Sequence, residues 1–90
     1  MADFTNFITL VALLQDKNDL EDFLVGITTG KERNELAQRV EIVRQLLDGV
    51  PQQQIAKNLG VGVATVTRGS KELSQGRFKY LASKEKTNGK

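Results

Sequence analysis

Small and polar residues that could contact nucleic acid cluster in the segment 52–71. Its second half, 62–68, runs Gly-Val-Ala-Thr-Val-Thr-Arg, which would place small side chains at the start of a helix. A helix enters the DNA major groove with its N-terminal residues against the base edges. Small side chains permit that approach, and threonine offers a hydroxyl or a methyl group. The predicted DNA contacts are Gln52, Gln53, Lys57, Gly62, Val63, Ala64, Thr65, Thr67 and Lys71.

Two short helices joined by a glycine turn would position these side chains. Ala56 is small where the second helix approaches the first, and Gly60 suits the positive φ of a sharp turn. Four apolar residues would pin the two helices together: Ile55, Leu59, Val61 and Val66. This layout predicts a helix-turn-helix over about Gln52 to Leu73.

The remainder of the chain also has helical patterns and no clear strand. Apolar residues spaced by three and four between Phe4 and Leu14 predict a first helix. Asp19 is expected to cap a second helix, which ends near Ile27. Thr29 and Glu32 form a capping-box pattern that opens a third helix, which Gly49 would end. A last short helical piece is predicted over 77–84, so the expected fold class is all-α.

The composition argues against catalytic and metal sites. The chain has no histidine and no cysteine, which removes the commonest general base, the commonest metal ligand and the thiolate. No nucleophile–base pair can be assembled either, so we predict neither an enzyme nor a metal site. The N-terminus carries Asp3 and no basic run, which does not resemble a secretory signal. We expect a cytoplasmic protein without a membrane partner.

The charge is distributed unevenly along the chain. Residues 1–56 contain five Lys/Arg and nine Asp/Glu, whereas residues 57–90 contain eight and two. A basic second half indicates a polyanionic partner. We interpret the last seven residues, by contrast, as a solvated, lysine-rich tail.

Two stretches of this sequence resemble the tryptophan repressor family. One is Ala64-Thr-Val-Thr-Arg-Gly-Ser70, preceded by Gly60-Val-Gly62. The other comprises Glu32-Arg33, the run 38–43 and Leu46-Leu-Asp-Gly49. The similarity covers about Thr28 to Leu73, and the first two helices match the family only in the spacing of their apolar residues.

The resemblance implies an intertwined, all-helical homodimer that binds L-tryptophan as corepressor, with no other cofactor, and then binds operator DNA. It places Arg39 and Arg68 on either side of the indole ring, where a guanidinium can stack on an aromatic face or pair with a carboxylate. By the same resemblance, Thr29 binds the carboxylate of the ligand in addition to capping its helix. Gly69 leaves space next to the ring. The full set of predicted ligand contacts is Arg39, Arg68, Thr29, Gly69, Val43, Ile27 and Thr28, with Ile27 and Thr28 acting from the other subunit.

The sequence departs from the family pattern at three places. Glu72 stands where the family usually has a small polar residue, and it either pairs with Arg68 or meets the ligand's ammonium group. The turn Gly49-Val-Pro51 is one residue shorter than usual, and Lys71 replaces a frequent asparagine.

These observations favour a tryptophan-activated transcriptional repressor over two alternatives. One alternative is a DNA-binding regulator of the same fold that needs no ligand or uses another one. The other is a helical protein-interaction module, against which the basic second half argues. The expected organisation is a dimerisation core at 1–48, a helix-turn-helix head at 49–73, and a short helix with a disordered tail at 74–90, within one structural domain.

Overall fold

The computed structural model describes residues 3–88, and within that range every regular element is an α-helix. The elements are α1 (Phe4–Leu13), α2 (Lys17–Ile27), α3 (Gly30–Leu47), α4 (Gln52–Leu59), α5 (Val63–Ser74) and α6 (Lys79–Asn88). This confirms the all-α prediction. The chain divides into two compact units, Met1–Arg33 and Asn34–Lys90. None of the helices in the described range is long and apolar enough to cross a membrane.

Aspartates cap both helices at the start of the first unit. Asp3 accepts the N–H of Thr5 at 2.8 Å and opens α1. Asp16 opens α2 by accepting the N–H groups of Asn18 at 2.8 Å and Asp19 at 3.1 Å. The prediction that Asp19 caps α2 is therefore wrong. Because Asp16 already satisfies these donors, the helix begins three residues earlier than Asp19 would allow, and Asp19 lies in its first turn.

An aromatic pair inside α1, Phe4 with Phe7, is continued by a pair between α1 and α2, Phe7 with Phe23. The Phe7 ring lies 5.9 Å from the Phe4 ring and 6.2 Å from the Phe23 ring, which is the usual range for aromatic pairs. Phe4 and Leu13 are nevertheless more than 70% exposed. The first unit thus presents large apolar side chains that this chain alone leaves open to solvent.

The predicted capping box at the start of α3 is confirmed. The Thr29 N–H donates to Glu32 Oε1 at 2.8 Å, and the Glu32 N–H donates to Thr29 Oγ1 at 3.1 Å. Arg33 adds a second tie, because its Nη1 donates to the carbonyl oxygens of Thr28 and Val25. Side chains therefore satisfy the backbone at the α2–α3 junction.

We predict that Thr29→Ala lowers the free energy of unfolding by about 1 kcal/mol, the typical cost of removing an N-cap hydroxyl. Thr29→Ser keeps the hydroxyl and is the matched control. Urea unfolding followed by circular dichroism measures both variants at one protein concentration. Equal losses from the alanine and serine variants would contradict a capping role.

The core of the second unit joins three helices. Ile42 of α3, Ile55 of α4 and Val66 of α5 are at most 2% exposed and form one cluster. The partly buried side chains packed against it are Leu46, Val50, Ala56, Leu59 and Val61. The four residues predicted to pin α4 against α5 all belong to this assembly, and α3 completes it.

Two glycines end helices as predicted. Gly49 has φ +83°, and the Val50 N–H returns to the Gln45 carbonyl, which closes α3 with a Schellman motif. Gly60 has φ +66° and ends α4, and Pro51 lies immediately before the first residue of that helix. A side chain at either glycine would face the backbone strain of the left-handed region.

The last helix begins later than the sequence indicates. Gly76 and Phe78 have φ values of +92° and +63°, which no α-helix accommodates, so α6 starts at Lys79 rather than at Arg77. It also runs on to Asn88, four residues beyond the predicted end at Lys84 and into the segment predicted to be disordered. Of the predicted disordered tail, Gly89 and Lys90 lie outside the described residues. The division into a dimerisation core and a DNA-binding head stays a prediction.

Candidate ligand-binding site and DNA-binding surface

A cavity of about 420 Å³ lies between α3 and α5 in the second unit. Small-molecule sites usually have volumes in this range and combine apolar walls with a few polar groups. Two arginines, one glutamate and one threonine supply the polar groups here. The lining residues are Arg39, Ile42, Val43, Ala64, Thr65, Arg68, Gly69, Glu72 and Phe78.

The two arginines of this cavity come from different helices. Arg39 is on α3 and Arg68 is on α5, and both are exposed. Neither guanidinium forms an ion pair or a hydrogen bond with another residue in the range 3–84. Both are therefore available to a carboxylate or to the face of an aromatic ring.

Gly69 allows α5 to approach α3 closely. A Cβ atom built on Gly69 would lie 3.2 Å from Ile42 Cγ2 and 3.7 Å from Leu46 Cδ1. The sequence-based prediction gave Gly69 the space beside a ligand ring. It does line the cavity, and its missing side chain also makes room for the core residue Ile42.

Gly69→Ala is expected to lose most or all of the roughly 1 kcal/mol that alanine gains over glycine inside a helix, because the new methyl group lies 3.2 Å from Ile42 Cγ2 and overpacks the α3–α5 contact. Gly26→Ala is the control, since Gly26 lies inside α2 and nothing would lie within 4 Å of the added Cβ. That change should instead stabilise the protein by up to about 1 kcal/mol through helix propensity. Denaturant midpoints measure both variants, and a Gly69→Ala midpoint as high as that of Gly26→Ala would contradict the tight contact.

Glu72 pairs with a residue beyond α5. Its Oε1 lies 3.5 Å from Arg77 Nε. The alternative in which Glu72 pairs with Arg68 is therefore wrong for this structure. The Schellman motif at the end of α5, in which the Arg77 N–H donates to the Glu72 carbonyl, folds Arg77 back over the last turn of the helix. Glu72 still lines the cavity, so its carboxylate can meet a cationic group there.

The predicted DNA contacts on α5 fall on two sides of the helix. Ala64 and Thr65 line the cavity that faces α3, and Thr65 also lines a second, smaller cavity with Glu35 and Gln38. Val63, Thr67 and Lys71, at intervals of four, share another side and are exposed. The side that carries Val63, Thr67 and Lys71 is the better candidate for contact with the major groove. Thr65 faces the cavity instead.

A hydrogen bond joins two of the predicted DNA contacts. Thr67 Oγ1 donates to Gln52 Oε1 at 2.7 Å, which connects α5 to the first residue of α4. Within the described residues the Gln52 amide N–H groups have no hydrogen-bond partner, so they and the Thr67 methyl group can contact DNA. Gln53, Lys57 and Gly62 are exposed, as a contact surface requires.

Sequence reasoning missed a polar chain that connects α3 to α4. Asn58 Nδ2 donates to Gln45 Oε1 at 2.9 Å, and Gln54 Nε2 donates to Asn58 Oδ1 at 2.7 Å. These side chains fix how α4 sits on α3. The i,i+4 spacing of Gln54 and Asn58 is the only sequence signal for it.

Three of the predicted ligand residues belong to the first unit. Ile27 is the last residue of α2, Thr28 follows it, and Thr29 caps α3. Their roles toward a ligand stay predictions. The structure brings together Arg39, Val43, Arg68 and Gly69, and it adds Ile42, Glu72 and Phe78 to the same cavity.

Comparison with known proteins identifies the family. The model of the family described as Trp repressor protein matches residues 2–87. The chain belongs to the Trp repressor family. Members of this family are transcription regulators and not enzymes, which confirms the prediction that the chain is not an enzyme.

Individual members of the Trp repressor family match over most of the chain. A Trp operon repressor homolog of Aliivibrio fischeri (strain MJ11) is 42% identical over 73 residues, which cover 80% of this chain and 68% of the relative. A homolog of Vibrio parahaemolyticus is 40% identical over 85 residues, which cover 93% of this chain and 80% of the relative. A homolog of Chlamydia trachomatis is 38% identical over 82 residues, which cover 88% of this chain and 87% of the relative. The similarity to the Trp repressor family thus extends beyond the helix-turn-helix to α1 and α2.

Proposed function

We propose that this protein is a transcriptional repressor that binds operator DNA as a homodimer in the cytoplasm, with L-tryptophan as its corepressor. The observation that carries the proposal is the cavity between α3 and α5, to which each helix contributes an arginine without a partner in the described chain. Membership in the Trp repressor family supports the same conclusion.

The cavity has groups for each part of a zwitterionic aromatic amino acid. Ile42 and Val43 offer apolar surface to a ring, and the guanidinium of Arg39 or Arg68 can pair with a carboxylate. The Glu72 carboxylate is suited to an ammonium group. These residues fit tryptophan better than a purely apolar ligand, which would leave the guanidinium groups of Arg39 and Arg68 without a partner.

The ligand acts as a switch because it bridges two helices. A molecule held by Arg39 and Arg68 connects α3 to α5, the helix that carries Val63, Thr67 and Lys71. Occupancy would hold α5 at one angle to α3. In a two-fold dimer this angle sets the separation of the two DNA-binding helices, which must match about one turn of DNA, ~34–36 Å.

The apolar surface that one chain leaves exposed supports the proposed dimer. In the first unit Phe4, Ile8 and Leu13 are 49–74% exposed, and Leu36 and Val40 of α3 are more than 40% exposed. A soluble monomer rarely presents so much apolar surface. We therefore expect sedimentation at micromolar concentration to show a mass of twice 10.0 kDa. A stable, folded monomer under these conditions would exclude the dimer.

Calorimetric titration with L-tryptophan tests the proposed function most simply. We expect one site per chain, with L-leucine failing to compete because it lacks an aromatic ring. Arg39→Ala should lose most of the affinity, whereas Lys57→Ala, on the exposed surface of α4, should keep it. Absence of tryptophan binding by the folded wild type at millimolar concentration would refute the corepressor and leave a ligand-independent regulator.

A further inference from the structure

The cavity has an aromatic residue that the tryptophan proposal does not need. Phe78 is the one aromatic side chain among its lining residues in the described part of the chain. It comes from the turn between α5 and α6, outside both helices that carry the arginines. The residue is 38% exposed, so part of it is covered and part faces the solvent.

The backbone at Phe78 is unusual. Within residues 3–88, Phe78 is the only residue other than glycine with a positive φ, at +63°. Bulky side chains disfavour this left-handed region, and such a conformation persists only where the surroundings impose it. The left-handed turn at Phe78 follows the one at Gly76, and together they reverse the chain so that Phe78 reaches the cavity.

Contacts on both sides of Phe78 fix this turn. On the α5 side, the Gly76 N–H donates to the Leu73 carbonyl, and the Arg77 N–H donates to the Glu72 carbonyl, each at 3.1 Å. The ion pair of Glu72 with Arg77 spans the same turn. On the α6 side, the Phe78 carbonyl accepts the Ala82 N–H at 2.9 Å and so opens α6. The ring therefore stands on a fixed backbone and is not a freely moving end.

We propose that Phe78 is a ligand-contacting residue, whose ring packs against the aromatic ring of the bound amino acid and favours aromatic over aliphatic ligands. This proposal rests on the proposed function, since it takes tryptophan as the occupant. Ile42 and Val43 supply aliphatic surface only, so Phe78 is the residue in the cavity wall that can form an aromatic pair. The turn between α5 and α6 thereby becomes part of the ligand site.

Glu72 connects this aromatic contact to the charge of the ligand. Its carboxylate lines the cavity and also holds Arg77, the neighbour of Phe78. A ligand ammonium at Glu72 would share that carboxylate with Arg77. Glu72 would thus bind the ammonium group of the amino acid and Phe78 its aromatic ring, and the same turn positions both residues.

Three variants and one wild-type measurement test the role of Phe78. Phe78→Leu keeps apolar volume without an aromatic ring, and Phe78→Tyr keeps the ring. Tyr80→Leu removes the nearby aromatic residue, which is 72% exposed and does not line the cavity. Because the chain contains no tryptophan, the change in the indole emission of the ligand reports binding without indole emission from the protein.

We expect Phe78→Leu to weaken tryptophan binding roughly two- to twelvefold, the loss of one aromatic pair. Phe78→Tyr should bind more tightly than Phe78→Leu, Tyr80→Leu should bind like the wild type, and circular dichroism establishes that each variant is folded. In wild-type protein, nuclear Overhauser contacts should join the Phe78 ring protons to the indole protons, a result that does not depend on any variant folding.

Different results separate this inference from the proposed function. The role of Phe78 is overturned if the wild type binds tryptophan and Phe78→Leu binds it with equal affinity. It is also overturned if the wild type binds tryptophan without contacts between Phe78 and the indole. Either result leaves the proposed function intact. Failure of the wild type to bind tryptophan overturns both.

Discussion

Replacing Arg68 by alanine is expected to abolish the effect of tryptophan on DNA binding. Arg68 is the arginine that α5 contributes to the cavity, and without it a ligand can no longer connect α5 to Arg39 of α3. A lost charge-assisted hydrogen bond of about 1.5–3 kcal/mol corresponds to a roughly 10- to 150-fold weaker affinity for tryptophan. The measurement is fluorescence anisotropy of a duplex enriched from a random pool by the wild type with L-tryptophan.

Lys71→Ala is the charge-matched control for Arg68→Ala. Both changes remove one positive charge from α5, but Lys71 is exposed and does not line the cavity. We expect Lys71→Ala to weaken binding to every duplex alike, to reduce its salt dependence, and to keep the response to tryptophan. The switch would have to be assigned elsewhere if Arg68→Ala kept the full tryptophan response, or if both variants lost it equally.

The second large effect is expected in the core. Ile55 is 0% exposed and joins α4 to Ile42 of α3 and Val66 of α5. Ile55→Ala should lower the free energy of unfolding by about 2–5 kcal/mol, a large part of the stability of a small domain. For a chain of this size the melting temperature should fall by at least about 8 °C.

Graded substitution separates core packing from other causes. Ile55→Val removes one methylene and should cost about 0.5–1.5 kcal/mol, whereas Val63→Ala, at a residue that is 45% exposed, should change stability little. Thermal unfolding is compared at one protein concentration, because the midpoint of a dimer depends on concentration. Equal melting temperatures for Ile55→Ala and Val63→Ala would contradict the described core.

Local backbone chemistry explains which parts of the fold the sequence could predict. The Thr29–Glu32 capping box and the glycines at 49 and 60 satisfy or relieve the backbone within a few residues, so their residue types suffice. The cap of α2 was misassigned because Asp16 and Asp19 are both good N-cap residues. Only the hydrogen bonds distinguish them.

The sequence predicts those site residues that belong to a family motif. It does not predict the residues that only tertiary contacts bring to the cavity. Arg39 and Arg68 were found through the family resemblance, because nothing in their spacing of 29 positions indicates a shared cavity. Phe78 was missed, since a left-handed phenylalanine is contrary to local preference and is imposed by the turn around it. The Glu72–Arg77 pair was missed for the same reason, because it depends on the Schellman motif that ends α5.

One linkage measurement tests the central claim, that tryptophan and operator DNA bind cooperatively to this protein. The affinity of the enriched duplex is measured with and without saturating L-tryptophan, and the affinity of tryptophan is measured with and without saturating duplex. We expect tryptophan to strengthen DNA binding by a factor in the range of roughly 5 to 150, and the duplex to strengthen tryptophan binding by the same factor. A duplex affinity that saturating tryptophan leaves unchanged would contradict the account.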